Sequence, residues 1–322
     1  MNDRNRTPHR IDTHHHIFPP EYVAAASKHG IGEAGGVAFP DWSVASMLGF
    51  MDRRGIATAI TSVAAPGVHF GDDAAARDLA RRCNEFSARL VSDHPGRLGA
   101  FAVLPIPDID GALRETEYAF DTLKADGVVL LTSYGDRYLG DPAYEPLFAE
   151  LNRRKAVVFV HPTVPVSSRN IRLAMPGALI EFVFDTTRAA ANLVYSGTLE
   201  RYQDLKLILS HAGGTVPFLA HRMALGDLDP HLRRNAPQGM MTYLKRLYYD
   251  TAISGNAPAL AALRELVAPS QILFGSDTPF LPEPLVASSI DGLAGFRGLD
   301  ATARAAIERG NGLTLFPRLA RA

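Results

Sequence analysis

The run Asp12-Thr13-His14-His15-His16 near the start holds three of the chain's eleven histidines side by side. Side chains alternate across a β-strand, so a strand through this run puts His14 and His16 on one face with Asp12 and turns His15 the other way. Two imidazoles two residues apart can ligate one metal ion. A polar strand end with a surface histidine cluster accounts for the same run. Three further segments narrow the choice. Val160-His161-Pro162 ends in a proline that holds His161 extended and offers no ladder N–H, so a strand stops there. Ser210-His211-Ala212-Gly213-Gly214 and Phe274-Gly275-Ser276-Asp277-Thr278-Pro279-Phe280 close two more apolar runs. Each alone reads as a polar residue leaving a strand. Jointly they place histidine or aspartate at four strand ends. Three histidines with one carboxylate make a hard-to-borderline site suited to Zn²⁺ or Mn²⁺.

Such residues need a frame to bring them together. Short apolar runs recur at Arg10–Phe18, Ile56–Val63, Arg97–Leu104, Gly127–Leu131, Ala156–His161, Leu205–His211, Arg246–Thr251 and Gln271–Asp277. AVVFV and LKLIL are apolar on both faces, as parallel strands covered by helices are. Helical spacing lies between the runs. In DDAAARDLARRCNEFSARL, Leu79, Cys83, Phe86 and Leu90 share one face; in DPAYEPLFAELNRR, Leu147, Phe148 and Leu151 do the same. Asp141 and Pro142 suit an N-cap and first turn. Strands alternating with helices predict an α/β fold, a single closed (β/α)₈ TIM barrel spanning 1–322 as one domain, with its active site at the C-terminal strand ends. No GxGxxG or GxxxxGK[ST] follows the first run, which disfavours an open nucleotide-binding sheet. Two connections, about 19–41 and 163–198, exceed what a barrel needs and are expected to build a lid, a pocket or a subunit contact. The second includes the apolar, helix-like ALIEFVF.

Composition excludes several functions. The 322 residues carry 33 Lys+Arg against 34 Asp+Glu, a formal net charge of −1, which disfavours nucleic acid and anionic membranes as bulk partners. One cysteine rules out a disulfide framework or a cysteine-based metal cluster and fits a reducing compartment. No apolar run approaches the roughly 18 residues needed to cross a bilayer, and MNDRNRTPHR is polar, so a cytoplasmic protein is expected.

IDTHHH, VFVHP, LILSHAGGTVPFLAHRM, LFGSDTPF and GNGLTLF, taken in order, resemble the amidohydrolase superfamily over nearly the whole chain. The similarity is to the branch that includes α-amino-β-carboxymuconate-ε-semialdehyde decarboxylase and the γ-resorcylate and 6-methylsalicylate decarboxylases. It implies one divalent metal ion, Zn²⁺ with Mn²⁺ as the alternative, on His14, His16, His161 and Asp277. It also implies His211 beside the metal as the acid/base histidine. A substrate-carboxylate role falls to Arg222, which in the semialdehyde decarboxylase reaches across a dimer interface, so a homodimer or dimer-based tetramer is implied. TSYGDRYLGDPAYEPLF and LNRRKAVVFVHPT resemble the 6-methylsalicylate branch most closely.

The family's second carboxylate-binding arginine has no clear counterpart. Arg53 and Arg54, in MDRRGI, read as the last turn of a helix and as solvated surface, where cations favour the helix dipole. That points to a monocarboxylate substrate. Trp42, Phe39, Phe18 and Phe280 are candidates to sandwich an aromatic ring, with core packing the equal alternative. Tyr134 is placed to meet a phenol or carboxylate oxygen, or simply to pack its loop. Gly213 and Gly214 precede a helix at 215–222 and either receive an anion on their N–H groups or form a tight turn. Cys83, on an apolar helix face, reads as inert core.

The expected reaction is metal-dependent, non-oxidative decarboxylation of a small aromatic hydroxy acid, 6-methylsalicylate or a related salicylate or resorcylate. Loss of CO₂ would leave an aryl carbanion unless the ring carbon is protonated first, and Asp277 and His211 are the two candidate donors. The same barrel and ligands suit hydrolysis of a lactone or amide, since fold does not fix function. A non-catalytic ligand-binding barrel is the reading from outside enzymology.

Overall fold

The computed structural model of the protein describes residues 9–63, 65–168 and 170–321. The apolar runs become strands β1 (Arg10–Ile17), β2 (Ile56–Val63), β3 (Leu98–Val103), β4 (Gly127–Leu131), β5 (Val157–His161), β6 (Lys206–Leu209), β7 (Tyr248–Asp250) and β8 (Ile272–Leu273), all parallel and adjacent in chain order. Backbone bonds then join the last strand to the first. Phe274 O accepts from Thr13 N–H at 3.0 Å, His14 O from Asp277 N–H at 2.9 Å, and Thr278 O from His16 N–H at 2.7 Å. Eight strands thus make a nearly closed (β/α)₈ barrel.

Parallel neighbours need crossovers. These are α1 (Val44–Arg54), α2 (Asp73–Asp93), α3 (Ile109–Asp121), α4 (Glu145–Arg153), α5 (Glu181–Tyr195), α6 (Val216–Met223) and α7 (Ala257–Leu266), with α8 (Glu283–Gly295) following the last strand. Asp72 caps α2 by accepting from Ala75 N–H at 2.6 Å, and Leu79, Cys83 and Leu90 are buried along its inner face. Burial pushes the Cys83 thiol up to about 12, so it is an inert core group. No helix among the described residues is long and apolar enough to cross a membrane.

Two details depart from the sequence expectation, each for a backbone reason. β6 and β8 stop before His211 and Asp277 rather than including them. His211, Ala212 and Asp277 have φ of +54°, +56° and +59°, the left-handed region, where a strand cannot continue. β1 carries an irregularity between Asp12 and His15, which pair with Ala59 and Thr61. The extra residue breaks simple alternation. Asp12 therefore joins His15, whose Nδ1 lies 2.9 Å from Asp12 Oδ2, instead of sharing a face with His14 and His16. The helix-like reading of ALIEFVF holds from Glu181, where α5 begins, while Ala178 and Leu179 lie in the 3₁₀ turn Gly177–Leu179 before it.

The two long connections interlock above the barrel. The first folds back as a small hairpin, Glu33–Ala34 against Val37–Ala38. Gly35 at its tip has φ +61°, and its carbonyl accepts from Ala178 N–H at 2.8 Å. A Cβ there would lie 2.8 Å from the Phe182 ring, so only glycine allows so close an approach.

Candidate metal centre

His14, His16, His161 and Asp277 are buried at the C-terminal end of the barrel, each with a ligand atom within 4.8 Å of the others. Each imidazole is oriented through its other nitrogen. His14 Nδ1 donates to Asp250 Oδ2 at 2.8 Å, His161 Nδ1 donates to the Pro162 carbonyl at 2.8 Å, and His16 Nδ1 meets Ser62 Oγ at 3.2 Å. These bonds leave the Nε2 atoms for a shared point, and supporting partners of this kind fix tautomer and ring orientation in metal sites. His14 Nε2 lies 3.0 Å from His16 Nε2, and the two stand 3.1 and 3.2 Å from Asp277 Oδ1. His211 Nε2 stands 3.4 Å from the other oxygen, Asp277 Oδ2.

Electrostatics agree with a cation at this point. Burial opposes charge on His14, yet Asp250 and Asp277 outweigh it and raise its pKa to about 10. Burial, helped by the neighbouring imidazoles, holds His161 well below the usual histidine range, and burial lowers His16. Burial would raise the Asp277 carboxyl, but His14 and the bonds from His16 and His211 hold it well below the carboxylate range. Two neutral imidazoles, one ionised carboxylate and one imidazole holding a displaceable proton fit a divalent ion with nitrogen and oxygen ligands. Because a metal takes the deprotonated form of His14, its uptake at pH 8 is expected to release about one proton. Affinity then rises about tenfold per pH unit until the pH reaches about 10. Calorimetric titration of metal-free protein in two buffers of different ionisation enthalpy measures this, and zero protons released contradicts it.

A family model described as amidohydrolase matches residues 11–318. The chain belongs to the amidohydrolase family. This amidohydrolase is 40% identical to 6-methylsalicylic acid decarboxylase of Penicillium expansum over 315 residues, covering 96% of this chain and 97% of that one. A solved structure described as an amidohydrolase II superposes with a TM-score of 0.90 at 30% identity, over 96% of this chain and 99% of the other. A dihydroxybenzoic acid decarboxylase from Polaromonas sp., solved with manganese and 2-nitroresorcinol, gives 0.83 at 24% identity over 98% of each chain, a likeness of fold.

The centre of the amidohydrolase opens into a cavity of about 460 Å³ to which His161, His211, Asp277 and Phe280 contribute, with Val37 of the hairpin and Phe182 of α5. No lysine or arginine lines it among the described residues. Phe280 stands edge-on to His16 at 5.5 Å. The other sequence candidates lie elsewhere. Trp42 packs against Phe86 at 6.1 Å, Phe18 is buried between Phe39 and Phe280, and none of the three lines this cavity. Tyr134 uses its hydroxyl to accept from Leu131 N–H at 2.8 Å and faces a second cavity. Arg222 is exposed on α6. Arg53 and Arg54 are held by Glu283 at the start of α8 at 2.8 to 3.0 Å rather than simply solvated. Gly213 and Gly214 form the tight turn: their N–H groups donate to Ser210 and His211, and a Cβ on Gly214 would strike the Val183 carbonyl.

Asp250 and Ser62 complete the site and were not singled out from sequence. Asp250 is wholly buried; besides His14 it accepts from the N–H groups of His211 and Ala252 at 2.9 and 3.0 Å. Its signal was present, an aspartate closing the seventh strand run just as Asp277 follows the eighth.

Proposed function

We propose that this amidohydrolase is a metal-dependent, non-oxidative decarboxylase of a small aromatic hydroxy acid, 6-methylsalicylate or a close relative. The observation that carries the reading is the 40% identity, along nearly the whole chain, to a 6-methylsalicylic acid decarboxylase. The cavity supports it: largely apolar walls suit a methyl-bearing ring, and the lack of a lining cation suits one carboxylate rather than two.

His14, His16, His161 and Asp277 hold the ion, proposed as Zn²⁺ with Mn²⁺ as the alternative the same donors accept. When bound, it supplies positive charge that orients and neutralises the substrate carboxylate and its ortho oxygen. Phe182, Phe280 and Val37 hold the ring and exclude water. The proton is moved along the contact between His211 Nε2 and Asp277 Oδ2 and delivered to the ring carbon that bears the carboxylate. Aromaticity is lost at that carbon. The bond to the carboxylate then breaks, its electron pair restores the ring, and CO₂ leaves, so one proton is consumed per CO₂ released.

The working form is a homodimer in the cytoplasm. Phe218, Leu225 and Leu228 are 85%, 62% and 81% exposed around Arg222, an apolar face of the kind that marks a subunit contact. Arg222 of a second copy is the proposed counter-charge for the substrate carboxylate.

The test is CO₂ release from a panel of salicylate, 6-methylsalicylate, resorcylates and dihydroxybenzoates, with metal content measured on the same preparation. Turnover of 6-methylsalicylate supports the reading. Opening of a lactone panel with no CO₂ from any acid replaces it with a hydrolase.

A further inference from the structure

Two cavities lie at the C-terminal end of the barrel, and a thin wall divides them. The first is the 460 Å³ cavity of the metal centre. The second, about 590 Å³, is lined by the ends of β2 to β5 and the loops after them, including Val63, Val103, Val129, Leu131 and Thr163. Between them Ala34, Ala65 and Leu131 form a buried apolar cluster separate from the main core, with Phe39, Tyr134 and Phe280 packed against it. Ala34 and Phe280 also line the first cavity, while Leu131 and Tyr134 line the second. The wall is thus about one side chain thick. It starts one ring from the metal centre, since Phe280 is the side chain edge-on to His16. Two of its three buried members are alanines, so Leu131, on the last residue of β4 and in register with His161, is the one large aliphatic side chain among them, flanked by the rings of Phe39, Tyr134 and Phe280.

We propose that the second cavity is a closed-off continuation of the substrate subsite, and that Leu131 limits the ring substituent of a 6-alkylsalicylate to about the size of a methyl group. The inference rests on the decarboxylase reading. Leu131 acts on specificity, touching the wall rather than the reacting atoms. With the wall opened, each methylene of a longer chain buried in the second cavity improves kcat/KM by about fourfold.

The experiment compares wild type and Leu131→Ala on 6-methyl-, 6-propyl- and 6-pentylsalicylate. The Tyr134 hydroxyl bonds the backbone N–H of Leu131, so truncating the side chain leaves that support in place. The ratio of kcat/KM for 6-pentyl- over 6-methylsalicylate is expected to rise about tenfold or more. Adding Val103→Phe, which fills the second cavity, is expected to cancel the gain. An unmoved ratio in a variant that still releases CO₂ from 6-methylsalicylate overturns the proposal, as does a gain that survives Val103→Phe. Should Leu131→Ala fail to fold, Leu131→Val must shift the ratio in the same direction, and failure to do so overturns it equally. A wild type inactive on every salicylate overturns the decarboxylase reading, and this inference with it.

Discussion

Asp277→Asn is expected to lower kcat for decarboxylation by about 10² to 10⁴-fold, the range that a positioned acid contributes. Asparagine is the informative replacement because residue 277 sits at φ +59°, a conformation asparagine accepts readily and alanine does not. The variant keeps an oxygen for the metal and the shape of the loop; it loses the negative charge and the second carboxylate oxygen, Oδ2, through which the proton from His211 passes. Loss of the charge also removes one of the two carboxylates that raise His14. Metal content must therefore be measured beside CO₂ release, with the ion restored to saturation. His211→Asn is the companion, again at a left-handed position, φ +54°. If the proton passes along the His211–Asp277 contact, both variants lose kcat far more than they change KM. An Asp277→Asn enzyme that retains more than about a tenth of wild-type kcat with full metal would remove Asp277 from proton delivery.

The parts of this site that were legible in the sequence are those whose local chemistry announces a strand end. Pro162 after His161 and the glycines after His211 can only follow strands that stop, and four such ends carrying histidine or aspartate imply convergence once the barrel is inferred. The less legible features depend on distances the sequence does not encode. The irregularity in β1 moves Asp12 to the opposite side from His14 and His16, where it binds His15 and the N–H of Ser276 at 3.0 Å. Simple alternation had put it with His14 and His16. Trp42 and Tyr134 were plausible ring or oxygen partners by type, but one packs on α2 and the other spends its hydroxyl on the chain at Leu131. Asp250 was not singled out because its role, holding one histidine by the nitrogen that faces away from the shared point of the Nε2 atoms, exists only in three dimensions.

Asp250→Asn is therefore expected to weaken metal binding by about 10 to 100-fold although Asp250 is not a ligand. The argument is one of tautomers. Asp250 Oδ1 accepts from the backbone N–H groups of His211 and Ala252, and those donors cannot be turned away. An asparagine must keep its single oxygen there, so its amide N–H₂ faces His14 Nδ1 where a carboxylate oxygen stood. A donor facing Nδ1 forces the hydrogen of neutral His14 onto Nε2, the atom aimed at His16 Nε2 and Asp277 Oδ1. That nitrogen then has no lone pair for an ion until the hydrogen bond breaks. Removing the carboxylate also removes the largest influence raising His14, so fewer protons should be released when metal binds. His161→Ala serves as the reference, since it deletes a ligand outright and should cost more than the Asp250 variant; added imidazole should restore part of its metal content. Competition with a chelator of known affinity measures both losses, and the proton count measures the tautomer change. An Asp250→Asn protein that binds metal as tightly as wild type and releases the same proton would show that Asp250 holds the backbone of His211 and Ala252 without setting the state of His14.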